Sequence, residues 1–128
     1  EHPQSITNIY RILIMSKKLN LKGIVCTPTL RNMKSILNSK VRPFAIAFED
    51  PKLISTGKSI TKYNPKALLQ FIKIMQKIKI IPLCGAGIST AEDVKQAFAL
   101  GCKGVLISSA IANSKDSVPL LKQLKKFQ

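Results

Sequence analysis

The sequence has no tryptophan, a single histidine and three cysteines, and only six of its 128 residues are acidic. Each shortage closes off a class of chemistry. A zinc site or a Ser-His-Asp triad needs histidines or clustered thiols, and His2, Cys26, Cys84 and Cys102 stand in no ligand spacing. The odd cysteine count argues against a disulfide scaffold. Aromatics make up 5% of the chain, too few for a platform on which nucleic-acid bases stack. No apolar run approaches the roughly 18 residues of a membrane span. No metal, no cofactor and no membrane partner is therefore expected.

Lysine and arginine are plentiful by contrast, 21 in all for a net charge of +15. Only Arg11, Arg31 and Arg42 are arginines. Arginine makes most base-edge and stacking contacts, so this balance speaks against specific nucleic-acid recognition. A solvated basic surface, attraction of anionic phosphosugars, and weak unspecific nucleic-acid binding all remain open. Apolar residues are 45% of the chain, enough for a core, and 128 residues fall below one typical domain of about 150. One unit spanning 1–128 is expected. The chain starts Glu1-His2-Pro3, which is neither an initiating methionine nor a signal peptide, and reads as cut from something longer.

Four short, continuously apolar runs, at about 22–26, 43–48, 79–83 and 104–107, read as strands of a parallel sheet covered on both faces. Helical patterns alternate with them. Ser5 to Leu19 is the first, and Thr29 to Asn38 places Met33, Ile36 and Leu37 on one side. Pro65 to Lys77 follows an Asn64 cap, with Leu68, Leu69, Ile72, Met75 and Gln76 inward. Thr90 caps a helix that stops at Gly101, and Asp116 to Phe127 closes the chain. Alternating strands and helices predict βαβ units with right-handed crossovers, an α/β fold.

Ligand sites in parallel α/β folds lie after the carboxyl ends of the strands. Glu49 directly follows the second run, and acids are scarce here. The connection that it opens, 49–59, is far longer than the usual 2–6 residues or so. A carboxylate at a strand mouth under a long loop fits a general base shielded from water; a solvated loop acid fits too. Cys84-Gly85-Ala86-Gly87-Ile88-Ser89 follows the third run and Ser108-Ser109-Ala110-Ile111 the fourth. Such small loops can aim backbone N–H groups at a phosphate, or simply make tight turns. Cys84, beside one of them, reads as a reactive thiol or, better, a buried structural one.

The stretch Ala47-Phe48-Glu49-Asp50-Pro51-Lys52-Leu53-Ile54-Ser55-Thr56-Gly57 resembles the catalytic-glutamate strand and closing loop of the triosephosphate isomerase family, archaeal type. Leu83 to Lys95 is similar to the same family's seventh loop and helix, and Gly101 to Ala110 to its eighth strand and phosphate turn. The resemblance covers the whole chain and implies the C-terminal half of a (β/α)8 TIM barrel. It implies Glu49 as the base that moves a proton between two substrate carbons, the chemistry for which the glutamate of this enzyme is a standard example. Residues 50–59 would be the lid, with Ile54 and Ser55 near the substrate phosphate. Gly87, Ser108 and Ser109 would complete the phosphate cradle, and Glu1 would pair with a catalytic lysine.

The substrate implied is a phosphorylated triose, the setting glycolysis and gluconeogenesis in the cytoplasm. The partner implied is the missing N-terminal half, or further copies in a homo-oligomer. Two departures stand out: Ser55 takes a position usually held by glycine, and Ser108 one usually held by glycine or a small apolar residue. The resemblance implies that the lysine of the first strand and the histidine of the fourth would lie upstream of residue 1, and that His2 is not that histidine. Two other readings stay open: a different phosphosugar-binding half-barrel, and a non-catalytic basic interaction module.

Overall fold

Four helices begin where a hydroxyl accepts a backbone N–H: Ser5 before α1 (Ile6–Lys18), Thr29 before α2 (Leu30–Leu37), Ser59 before α3 (Ile60–Tyr63) and Thr90 before α5 (Ala91–Leu100). Each bond satisfies a donor that the first turn cannot pair internally. Prolines open α4 (Pro65–Met75) and α7 (Val118–Leu124), where a missing N–H costs nothing. Gly101 ends α5 in the left-handed conformation, φ 108°. A short α6 (Ser109–Ala112) completes the set in this computed structural model, which describes residues 3–127.

The strands β1 (Ile24–Thr27), β2 (Ala45–Phe48) and β3 (Ile81–Cys84) form one parallel sheet in the order β1-β2-β3. Ile24 pairs with Ala45 and Ala45 with Ile81, so Val25, Ile46 and Pro82 form one row across the sheet and Cys26, Ala47 and Leu83 the next. Alternation then sorts the two faces. Ile46 and Phe48 point into the main core with Met33, Ile36, Leu68, Phe71, Ile72 and Met75, and the Phe48 and Phe71 rings stack at 5.4 Å. Ala45 and Ala47 point to the opposite face, which β1 leaves open: Ile24 is 49% exposed.

The fourth run, 104–107, does not form the expected strand. It makes a single parallel bridge, Cys84 to Val105, held by Cys84 N–H to Gly104 O (3.3 Å) and Leu106 N–H to Cys84 O (2.8 Å). The reason is Pro82. In β3 the amides of Ile81 and Gly85 donate to β2, so those of the intervening even-numbered residues face the fourth run. Proline has no N–H to give there, and beyond Cys84 the chain turns with Ala86 at φ 61° and Gly87 at φ 72°. The Pro82 carbonyl accepts from Lys103 N–H at 2.8 Å, one residue before the Gly104 N–H that a second rung would use, so the contact stays a single bridge with one extra hydrogen bond.

Smaller differences follow from packing. In α4 the buried face is Leu68, Phe71, Ile72 and Met75, while Leu69 is 39% exposed and Gln76 lies outside the core. Asn64 occupies the cap position of α4 without a side-chain cap bond; its amide donates to Asp50 Oδ2 at 3.3 Å instead. The closing helix shrinks to Val118–Leu124 with a 3₁₀ turn over Lys125–Phe127.

Candidate active site

Glu49 owes its position to strand periodicity. It follows Phe48, which points into the helix-covered core, so its side chain emerges on the face of Ala45 and Ala47. Its backbone is pinned by donation to Thr27 O at 3.0 Å. The same face carries Cys26 on β1 and Gly85 after β3. A Cβ on Gly85 would overlap Glu49 Oε1 and lie 2.9 Å from its carboxyl carbon, so the absent side chain is what leaves room for the carboxylate. On the other side stands the Cys26 thiol. Loss of solvation, then the Glu49 charge and a hydrogen bond to it, push Cys26 up to about 12.

The half-buried Glu49 opens on a cavity of about 740 Å³. Ile6, Ile9, Ile12 and Ile24 line it with Pro51 and Ile54, so its wall is mostly apolar, with Asn32 and Ser35 among its neutral polar groups. Among the described residues no lysine, arginine or histidine lines it.

The long connection after Glu49 is built rather than slack. Asp50 accepts the N–H of Lys52 and caps a 3₁₀ turn, Pro51–Leu53, while its other oxygen takes the Asn64 amide. Both ends of the segment are thereby tied together. Ser55 sits at φ 59° and Gly57 at φ 70°. The left-handed setting explains why glycine suits position 55, and a serine there costs about 1–2 kcal/mol. The segment then lies on Gly87: a Cβ at Gly87 would run into the Lys58 carbonyl and come within 3.1 Å of Leu53 O. Ile60 N–H donates to Ala86 O at 3.1 Å and completes the seam. Residues 53–60 are closed down on the Gly85-Ala86-Gly87 turn.

Behind this seam, α3 is locked to α5. Lys62 Nζ is 2.9 Å from Asp93 Oδ1, and Asp93 Oδ2 accepts from Ser89 N–H, Thr90 N–H and Thr90 Oγ1. Burial, at 2% exposure, pushes the Asp93 carboxyl up, but Lys62 and the Thr90 and Ser89 donors outweigh it and hold the group below its usual value. The same contact raises Lys62.

The sites expected from the sequence fall as follows. Glu49, Ile54 and Ser55 belong to one strand end and its closed segment, and Gly87 lies directly beneath that segment. The bridge at Val105 runs its segment parallel to β3, so Ser108 and Ser109 follow at the same end of the sheet. Glu1 lies outside the described residues. Cys84 is fully buried, and a hydrogen bond to Cys102 followed by burial pushes its thiol far up, so it is the structural thiol. Gly85 and Cys26 were missed as neighbours of Glu49. Each is on the same face by alternation, but only the strand register, 26 beside 47 beside 83, reveals it. No helix among the described residues is long and apolar enough to cross a membrane, and no three His, Cys, Asp or Glu residues among them gather as a metal site.

Parallel strands, helices between them, and an acid and glycine turn gathered after the strands' carboxyl ends define a β/α-barrel type of protein at half-barrel size. Comparison with known proteins sharpens this. The family model described as triosephosphate isomerase matches residues 12–124. The triosephosphate isomerase of Pyrobaculum islandicum is 33% identical over 98% of this chain and 55% of its own length. That of Methanocaldococcus jannaschii is 36% identical over 95% of this chain and 56% of its own. A solved structure, the Amycolatopsis orientalis BexX/CysO complex, aligns with a TM-score of 0.67 over 95% of this chain and 47% of that chain. At 17% identity, that likeness shows the fold alone. The chain belongs to the triosephosphate isomerase family. It spans about half the length of the curated relatives it matches.

Proposed function

We propose that this chain supplies the base and the phosphate cradle of a triose-phosphate isomerase, acting with a complementary set of β/α units. The observation that carries the reading is the Glu49 carboxylate, seated against Gly85 at the mouth of β2 with a closed segment starting beside it. Glu49 would take the proton from C1 of dihydroxyacetone phosphate and return it to C2, giving D-glyceraldehyde 3-phosphate through an enediolate. A proton moves between the two substrate oxygens at the same time, so atoms and charge balance. Backbone N–H groups of Ser55, Gly87, Ser108 and Ser109, with Ile54 beside them, would hold the phosphate at the same end of the sheet. Closure of residues 50–59 would keep water from the enediolate.

The charge that develops on the substrate oxygens needs preorganised donors, and the cavity beside Glu49 offers a mostly apolar wall. Those donors would be the lysine and histidine that the family resemblance implies, with Glu1 beside the lysine. Each such donor lost typically lowers the rate about 10²–10³-fold. The chain by itself should therefore not isomerise, and addition of the complementary half should restore turnover. In the complemented protein Glu49→Gln should lower the rate roughly 10²–10⁴-fold. Near-normal turnover of that variant, or full activity of residues 1–128 alone, would remove this reading. Phosphate binding without turnover in the complemented protein would point to a different phosphosugar barrel.

A further inference from the structure

The five acidic residues among those described are not spread evenly. Glu49 and Asp50 follow β2, Glu92 and Asp93 open α5, and Asp116 precedes α7, all after the carboxyl ends of strand segments. Among the described residues, the charged groups at the opposite end of the sheet, where the chain enters β1 and β2, are cations. There the structure has a concave site of about 460 Å³. Lys17, Lys22, Lys40 and Arg42 line it, and no acidic residue does. Neither ion pair of the described residues uses any of the four.

The site has a firm frame. Asn20 turns the chain back at φ 54° after α1, so the end of that helix and the entry to β1 face one another. Gly23 packs on α1, where a Cβ would sit 3.0 Å from Leu13 Cδ2. Its carbonyl accepts from the N–H groups of Phe44 (2.9 Å) and Ala45 (3.4 Å), which clamps the 40–44 approach against 20–23. Leu13, Leu21, Val41 and Phe44 give the hollow an apolar floor, and the Lys22 ammonium lies 4.8 Å above the Phe44 ring.

Lysine at the end of a helix is ordinarily explained by the helix dipole, and Lys17 needs no more than that. Lys22, Lys40 and Arg42 lie outside any helix, on the two segments entering the sheet, and the dipole does not account for them. Four cations around an apolar floor fit an organic anion with concentrated charge, and the volume lies within the roughly 300–1,000 Å³ of ligand sites. A flat nucleic-acid surface would show arginine and aromatic contacts that this face has little of.

We propose that this amino-terminal end of β1 and β2 is a second ligand site, taking a small phosphate-bearing organic molecule such as a nucleoside diphosphate between Lys22, Lys40 and Arg42 over Phe44. It lies at the far end of the sheet from Glu49 and is independent of the isomerase reading. The test is amide NMR of the 128-residue chain titrated with ADP, with inorganic pyrophosphate and a single-stranded oligonucleotide in parallel. Saturable shifts at Gly23 and Phe44 with ADP, weakened at least tenfold in K22Q/R42Q and unchanged in the α4 surface variant K66Q/K73Q, are expected. Equal weakening in both variants would show diffuse attraction and overturn the site. So would shifts confined to Gly87 and Ser109. Tighter binding of the oligonucleotide, or pyrophosphate matching ADP, would overturn the assignment to a small organic anion.

Discussion

Replacing Gly85 by alanine separates the position of Glu49 from the stability of the fold. The added methyl group would occupy the space of Glu49 Oε1 and stand 2.9 Å from its carboxyl carbon and 3.1 Å from Cγ. Ordinary contact begins near 3.4 Å, so the carboxylate oxygen must retreat by well over an ångström. The obstacle is the tip of a flexible side chain, and Gly85 is absent from the positive-φ residues, so the backbone is not strained. The stability cost is then that of one displaced rotamer, about 1 kcal/mol. The catalytic cost is larger. A base misplaced by about 1 Å loses roughly 10²-fold in rate, near 2.7 kcal/mol of transition-state stabilisation. Isomerisation by the complemented protein, measured beside thermal unfolding of the same variant, reads both. A Gly85→Ala protein with unchanged rate would show that the carboxylate does not work from the position seen here. A protein that unfolds would show that Gly85 serves the turn and not the base.

The other predictions concern the seam and the thiol. Ser55→Gly should raise the unfolding midpoint by the equivalent of about 1 kcal/mol, because it relieves a left-handed serine; a lower midpoint in thermal unfolding would contradict the strain. Asp93→Asn should cost about 1–3 kcal/mol in denaturant unfolding, since the cap and the Lys62 partner are lost together. The Asp93 carboxyl titrates lower in the folded chain than in the unfolded one, so its contribution is complete above the unfolded value near 3.8 and fades as pH falls through the folded value. Lys62 is raised, so its share is present below 10.5 and is lost as pH rises through the folded value. Urea midpoints that are flat below pH 4 in wild type, or that match those of Asp93→Asn at pH 7, would contradict this. Cys26, whose thiol is raised by partial desolvation and by the Glu49 charge, should react with iodoacetamide at pH 8 more slowly than an ordinary exposed thiol. Glu49→Gln should speed that reaction, and no change would show that the two groups do not interact.

The parts of this protein legible in the sequence are those fixed by local chemistry. Hydroxyl and proline signals located the starts of α1, α2, α4 and α5 to within a residue, and Gly101 marked a stop. The mouth of β2 was legible because Glu49 breaks an apolar run. The fourth strand failed because an apolar pattern says nothing about which neighbour's N–H is missing; Pro82 belongs to a different segment. Asn64 failed as a capping side chain for a similar reason, its amide being drawn to Asp50, fourteen residues earlier. The neighbours of Glu49 were hidden because Cys26 and Gly85 meet it only through strand register, a long-range property.

The site divides along the same line. What this chain builds by itself is the geometry of closure: the Asp50–Asn64 tie, the left-handed Ser55, the turn at Ala86 and Gly87 and the Lys62–Asp93 lock all bear on the segment over the strand mouth. Several of these are strained or buried polar features, which persist only where surrounding structure enforces them. Together they fix the segment against the Gly85-Ala86-Gly87 turn through contacts of the chain itself. The cavity on the other side of Glu49 is of the opposite kind, wide and mostly apolar, bordered by the edge of β1 and by Ile6, Ile9 and Ile12. A parallel strand laid against Ile24–Thr27 would cover that edge and bring new side chains across from the carboxylate. Under the proposed function, the units that supply that strand would also supply the polar half of the site, so barrel closure and the reaction's electrostatics would be gained in one step.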